Sequence, residues 1–249
     1  MKNLLLLGLC ALCITSCTAS GKSDNGRVTE KKRVASDRQA RELPQDDGFV
    51  TPDLSLLELK GHVKSVKYIK GDDENLSYTF DKNGFLSSYP CHHYEEYDFI
   101  FKDGKAVGED FSSERNAKGQ LTQFSCGSAV EAMDGGGSGF DVHSISYDAD
   151  GRPCSIEHSG MKYNYGMQNE YDERGLCILS TKKVSVFGIE PCFLDIKTTY
   201  TYTKFDEIGN WTERECKARI VEWEDEEHTS KKNVTDSREV EKRVITYYR

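Results

Sequence analysis

The sequence predicts an all-β domain, an antiparallel meander of repeated hairpins forming a curved sheet or open half-barrel. Two observations predict it. A short frame of aromatic, Asp, two polar residues and Gly recurs along the chain. The composition also suits strands and turns, with 13 Tyr and 11 Phe, and with 21 Gly against only 5 Pro.

The frame reads Phe80-Asp81-Lys82-Asn83-Gly84, Tyr147-Asp148-Ala149-Asp150-Gly151, Tyr171-Asp172-Glu173-Arg174-Gly175 and Phe205-Asp206-Glu207-Ile208-Gly209. A degenerate copy, Arg115-Asn116-Ala117-Lys118-Gly119, keeps the Asn and the Gly. Each part has a mechanical role. The aromatic ends an incoming strand and packs inward. The Asp side chain bonds backbone N–H groups two residues on, as in an Asx turn. The Gly supplies the positive φ of a bulged hairpin. Strand residues then resume, often with an apolar second position such as Leu86, Leu121, Cys177 or Trp211. Phe101-Lys102-Asp103-Gly104-Lys105 reads as a tighter hairpin with Asp-Gly at its turn. The five glycines at 84, 119, 151, 175 and 209 are unevenly spaced. That spacing points to a meander with insertions and away from a strict solenoid.

Before the repeats, Leu54 to Lys60 reads as a short helical or irregular lead-in, followed after Gly61 by the β-prone His62–Tyr68. Thr18 to about Asp47 is polar, mixed in charge and aperiodic, too poor in apolar residues to offset its ordering entropy. It reads as a flexible tether. At the start, Lys2 precedes an apolar run from Leu4 to Ile14 broken only by Gly8. The run fits the core of a signal peptide and is short of the roughly 20 apolar residues of a spanning helix.

Ile14-Thr15-Ser16-Cys17 resembles the lipobox of bacterial lipoproteins. The resemblance implies cleavage before Cys17, lipid on its thiol and acylation of its freed amine, an anchor that is effectively permanent. The organisation is then a signal peptide over 1–16, a lipidated tether over 17–50 and a β domain over 51–249. The repeat frame resembles the YD repeat of RHS-type proteins, whose common form runs Tyr-Asp-x-x-Gly-Arg-Leu-Thr. Tyr147–Arg152 and Phe205–Thr212 match it best. The whole resembles small YD-repeat lipoproteins of the Bacteroidota envelope, including Leu59–Val66 at the entry and Arg243–Tyr248 at the close. This implies extended antiparallel sheet. The chain has neither the length for the closed shell of large RHS proteins nor a toxin domain.

Six cysteines remain after the signal and Cys17: Cys91, Cys126, Cys154, Cys177, Cys192 and Cys216. In an exported protein they fit up to three disulfides, with buried free thiols as the alternative. None forms a Cys-x-x-Cys pair.

Cys91-His92-His93 with Glu95 and Glu96 is the one dense set of metal-capable side chains. On a strand, however, neighbouring histidines face opposite ways, so a polar loop is the simpler reading and no metal or cofactor is expected. Gly135-Gly136-Gly137-Ser138-Gly139 lacks the Lys-Ser/Thr of a phosphate loop. Nor does it open a helix as a nucleophile elbow would. Glu222–Glu227 reads as the solvated end of a last hairpin, Thr212–Trp223 returning as Arg238–Tyr248. Trp211 and Trp223 are candidates for a sugar-stacking platform, with packing on the sheet's own face as the simpler fate. The net charge of −9 disfavours nucleic acid.

No convergent acid, base, nucleophile or metal set is visible. The function expected is therefore non-catalytic, a lipid-anchored envelope protein that binds or scaffolds a protein or a glycan. An envelope hydrolase with a site hidden in the sequence is the alternative, as is an accessory or immunity partner of a secreted toxin. Thr18-Ala19-Ser20 lack an early acidic run, which favours the periplasmic face of the outer membrane over the cell surface. Replacing Cys17 by Ser should abolish fatty-acid labelling in cells, and retained labelling would refute the anchor.

Overall fold

The computed structural model describes residues 47–70, 74–90, 98–108, 111–127, 141–160, 163–187 and 191–248. The signal, Cys17 and most of the expected tether lie outside these residues, as do Cys91, His92 and His93. Alternation of buried and open positions, as in Asp141–Tyr147, drives the chain into strands. After one short helix, α1 (Pro52–Leu56), come β1 (Val63–Lys70), β2 (Glu74–Phe80), β3 (Leu86–Pro90), β4 (Asp98–Lys102), β5 (Lys105–Ala106), β6 (Phe111–Arg115) and β7 (Leu121–Cys126). The second half supplies β8 (Asp141–Tyr147), β9 (Pro153–Gly160), β10 (Tyr163–Tyr171), β11 (Cys177–Val186), β12 (Cys192–Phe205), β13 (Trp211–Trp223) and β14 (Lys231–Tyr247).

These 14 strands of the described residues form one antiparallel sheet in the order β5-β4-β3-β2-β1-β14-β13-β12-β11-β10-β9-β8-β7-β6. Chain neighbours pair throughout, except that β1 pairs with β14 and β5 and β6 are left as the two edges. Those edges meet. Ala106 N–H donates to Ser113 Oγ (2.8 Å) and Arg115 Nε to the Gly104 carbonyl (2.6 Å). The all-β meander is as the sequence predicts, but it curls past a half-barrel into a nearly closed barrel.

An up-and-down meander puts alternate turns at the same end. The repeat turns, the Asp103-Gly104 turn, the entry of β1 and the exit of β14 therefore share one end of the barrel. In four of the five repeat turns the leading carboxylate or amide oxygen accepts two backbone N–H groups. Asp81 holds Asn83 and Phe85 (2.8 and 2.9 Å). Asp172 holds Arg174 and Leu176 (3.0 and 2.9 Å), Asp206 holds Ile208 and Asn210 (3.1 and 2.9 Å), and Asn116 holds Lys118 and Gln120 (2.9 and 3.1 Å). Asp148 holds Arg152 N–H at 2.9 Å. Gly84, Gly119, Gly151, Gly175 and Gly209 all take φ between +75° and +85°.

Inward side chains meet across the barrel, Tyr89 on Phe124 at 5.0 Å and Tyr68 on Trp211 at 5.9 Å between ring centroids. Leu54 and Leu59 of the lead-in are buried among them. Outward positions carry Lys67, Thr181, Lys183, Lys197, Thr199, Lys217 and Arg219, all exposed. A basic side chain on the lipid face of a membrane barrel costs roughly 2–4 kcal/mol at mid-bilayer, so this wall is built for water. No helix among the described residues is long and apolar enough to cross a membrane.

Three expectations are corrected. Residues 47–50, assigned to the tether, are docked: Phe49 stacks on His62 (4.0 Å) and its carbonyl accepts Gly61 N–H (2.7 Å). The last hairpin returns at Lys231 opposite Trp223, seven residues before the expected Arg238, because β14 pairs with β13 along nearly its whole length. Cys154, Cys177, Cys192 and Cys216 are free thiols. They lie on four different strands, and no two of them are register partners. Cys91 and the side chain of Cys126 lie outside what is described.

Burial, reinforced by the Glu58 carboxylate, pushes the Cys177 thiol up to about 12. Cys177 should therefore resist maleimide in the native protein at neutral pH. Unfolded in urea without reductant, the chain should show at least the four thiols of the described cysteines by mass. Two or fewer would contradict the free-thiol assignment.

Candidate functional site

The densest polar constellation closes the repeat-turn end, and it begins with the lead-in. Pro52 suits the first helical position, and Thr51 caps α1 by accepting Leu54 N–H on Oγ1 (3.2 Å). The Thr51 hydroxyl also donates to the Gly84 carbonyl (2.6 Å). Glycine is required there twice over. Its φ is +75°, and a Cβ would lie 2.7 Å from Thr51 Cγ2.

Asp53, 1% exposed, takes a two-point bond from the Arg115 guanidinium (2.6 and 2.8 Å) and accepts Leu86 N–H (2.7 Å). Arg115 also donates to the carbonyls of Gly104 and Gly119 (2.6 and 2.7 Å). One side chain thus joins the plug, the β4–β5 turn and the β6–β7 turn at the seam of the barrel.

On the opposite wall Glu58 plays the matching part. Its Oε1 accepts Cys177 N–H (2.6 Å) and the Tyr202 hydroxyl (3.1 Å), and its Oε2 accepts Trp211 Nε1 (2.9 Å) and Arg214 (3.3 Å). Arg214 is shared with Glu241 through Nε (2.7 Å). Burial works against the Arg214 charge, and Glu241 and Glu58 more than offset it, holding the guanidinium above its ordinary range. Arg214 and Arg243 lie over the Trp211 indole at 4.2 and 3.8 Å. Arg243 further donates to the carbonyls of Trp211, Leu57 and Glu58 (2.5, 2.8 and 3.0 Å). Asn210 and Lys60 exchange two bonds (both 2.9 Å), and Tyr247 bonds Asp206 and Asn210. Glu58 adopts φ +54°, a left-handed conformation that the network holds in place.

Beneath the plug lies a cavity of about 150 Å³ lined by Tyr68, Tyr78, Tyr165, Tyr200, Met167 and Arg214, among others. Burial raises the Tyr68 phenol, and raises that of Tyr200 well above its ordinary value, so both stay protonated at neutral pH. Further along the interior, Asp141 and His158 pair at 2.9 Å with the imidazole fully buried beside Tyr163 and Tyr165. This pair is walled in and reaches no open surface. Chemically, the interior network pairs most of its donors and acceptors around fixed charges, and among the described residues it leaves Glu241 Oε1 and the Tyr200 hydroxyl buried without a hydrogen-bond partner. Such a set fixes geometry, and it leaves neither Glu58 oxygen without donors for proton transfer.

The residues singled out in the sequence fall as follows. Asp81, Gly84, Asp148, Gly151, Asp172, Gly175, Asp206 and Gly209 form the rim of turns around the plug. Trp211 is 0% exposed between two guanidiniums, which rules it out as a sugar platform. Trp223 lies on the outer wall at the far end. Its indole N–H donates to Asp195 (3.0 Å), and its ring is flanked by His228 (5.6 Å) and Lys231 (5.6 Å). The two tryptophans are on opposite faces of the wall and form no common surface. Among the described residues no group of three His, Cys, Asp or Glu is placed to hold a metal ion.

Sequence reasoning passed over Asp53, Glu58, Arg115, Arg214, Glu241 and Arg243. The one local signal was the acidic pair Asp53 and Glu58 in an otherwise apolar lead-in. Their partners lie 62 and 156 residues away.

No family model matches the chain, and no curated protein matches it. Among solved structures, a porin-like protein from Bacteroides uniformis is similar at 13% identity with a TM-score of 0.30, covering 74% of this chain and 98% of that chain. A score so low carries no argument, and the fold stands on the strand pairing described above.

Removing the Glu58 carboxylate leaves a buried Arg214 half-compensated and takes the acceptor from Cys177 N–H and Trp211 Nε1, while the Tyr202 hydroxyl keeps the Cys177 carbonyl (2.8 Å). Glu58→Ala should therefore cost roughly 3–5 kcal/mol in urea unfolding. A loss under about 1 kcal/mol would show that the network is loose.

Proposed function

We propose that the chain is a non-catalytic, lipid-anchored envelope protein that binds or scaffolds a protein or a glycan with the outside of its barrel. One observation carries this reading. The inward charged groups that could converge on a substrate, Asp53, Glu58, Arg115, Arg214 and Glu241, are instead bonded to one another and to the plug. The interior is committed to holding the barrel shut, which leaves the outer wall and the far end as the surface on offer.

The chain path supports one orientation. Residues 47–51 enter at the plugged end, so a tether from a lipidated Cys17 moors that end toward the membrane. The far end, with the β13–β14 turn of residues 224–230, then points away from it. The lipobox-like residues and the absence of an early acidic run support the periplasmic face of the outer membrane as the site of mooring. The resemblance of the turn frame to YD repeats supports a presented repeat surface.

A photo-crosslinking amino acid placed at Glu226, in the far-end turn, should yield adducts with an envelope protein or glycan in living cells. The same group at Glu173, in a repeat turn, should yield few. Equal labelling from both positions, or none from Glu226, would contradict the proposed presentation.

A further inference from the structure

We propose that a groove on the outer wall, across β10 to β13, is a binding site for an anionic glycan. The groove has a volume of about 530 Å³, and its lining includes Gly166, Gln168, Thr181, Lys183, Lys197 and Arg219. It lies on the side of the barrel and does not depend on the far-end reading above.

Three features of the groove lack a structural reason. First, Lys197 on β12 and Arg219 on β13 are direct register partners. Like charges placed opposite one another in a sheet repel and lower its stability. Second, among the described residues no ion pair or hydrogen bond engages the head groups of Lys183, Lys197 or Arg219. Several other cations of the wall are paired, Lys204 and Lys242 with Glu213, and Lys217 and Arg238 with Glu215. Asp236, the other register partner of Arg219, makes no ion pair with it. Asp195, the acid within the groove, is the register partner of Lys183 but makes no ion pair with it: its Oδ2 accepts Trp223 Nε1 (3.0 Å) and its Oδ1 lies 3.0 Å from His228 Nδ1.

Third, Gly166 sits mid-strand in β10 with no need to be glycine. Its φ is an ordinary one, and an added Cβ would meet nothing within 4 Å. A strand-interior glycine weakens a strand and marks a place where something approaches the backbone closely.

Three uncommitted cations on adjacent strands, a bare backbone floor, and the Thr181 hydroxyl and Gln168 amide on the same face match a sugar polymer carrying carboxylates or sulfates. The cations take the anionic groups, the flat Gly166 floor admits a ring, and the polar side chains face its hydroxyls. The chain's net charge of −9 opposes every polyanion at long range, so recognition rests on the local cations of the groove, and a polymer without sugar hydroxyls facing Gln168 and Thr181 gains less there.

The test uses the full lipidated protein in detergent, with calorimetric titration of polygalacturonate, chondroitin sulfate, dextran and single-stranded DNA. Saturable, salt-sensitive binding of at least one acidic polysaccharide is expected, with none of dextran or DNA. Lys197→Glu should abolish that binding and raise Tm, because the repelling pair becomes an ion pair with Arg219. Gly166→Leu should abolish it with the circular dichroism spectrum unchanged. Binding of neither acidic polymer would overturn the proposal, as would DNA or dextran binding of equal strength. So would a Lys197→Glu variant that still binds or whose Tm falls. Cross-linking from Glu226 in living cells reports the far-end reading separately, so adducts there without glycan binding overturn the groove alone.

Discussion

The structure depends on a buried guanidinium shared by two carboxylates. Arg214 on β13 meets Glu241 from the neighbouring strand and Glu58 from the lead-in, with Trp211 packed against it. A charge in that position would be ruinous alone, since removing one partner from a buried pair costs several kcal/mol. The lead-in is thereby fixed to the wall as an integral part of the barrel. At the opposite wall, Arg115 and Asp53 repeat the device across the seam. Between them the plug is bolted at both ends, which keeps a sheet with only a side-chain seam at β5 and β6 from uncurling.

This arrangement explains why the interior is polar without being a site. In a barrel whose edges are not joined by a ladder, apolar packing alone leaves the edge backbone groups without partners. The bidentate Arg115 contacts and the Ser113 hydroxyl supply partners of fixed direction. The aromatic interior then packs between two charged clamps, and the remaining cavity of about 150 Å³ is a residue of that packing beneath the plug.

Local chemistry was legible in the sequence. The Asp and Gly of each frame announced the turns, because an Asx bond and a positive φ are decided within five residues. The lead-in helix was expected within Leu54 to Lys60, but it forms at Pro52–Leu56, where the Thr51 cap and Pro52 start it. What failed was everything set at long range. The β1–β14 pairing that draws the sheet toward closure depends on residues far apart in the chain, and the docking of Phe49 on His62 and the return of β14 at Lys231 depend on tertiary packing that no local motif announces. Trp211 illustrates the limit. The sequence made packing on the sheet's own face its simpler fate, but it could not show the guanidiniums of Arg214 and Arg243 that enclose the ring. For the cysteines composition left disulfides and buried free thiols both open, because it counts thiols and cannot place them on strands.

The central claim, that the lead-in is bolted to the barrel through Arg214, is tested most directly by a double-mutant cycle. Glu58→Ala, Arg214→Met and the double variant would be compared by urea unfolding. The account predicts a coupling between the two residues of about 2 kcal/mol or more, with the double variant recovering much of what either single change loses. Additive losses, with coupling within about 0.5 kcal/mol of zero, would contradict it.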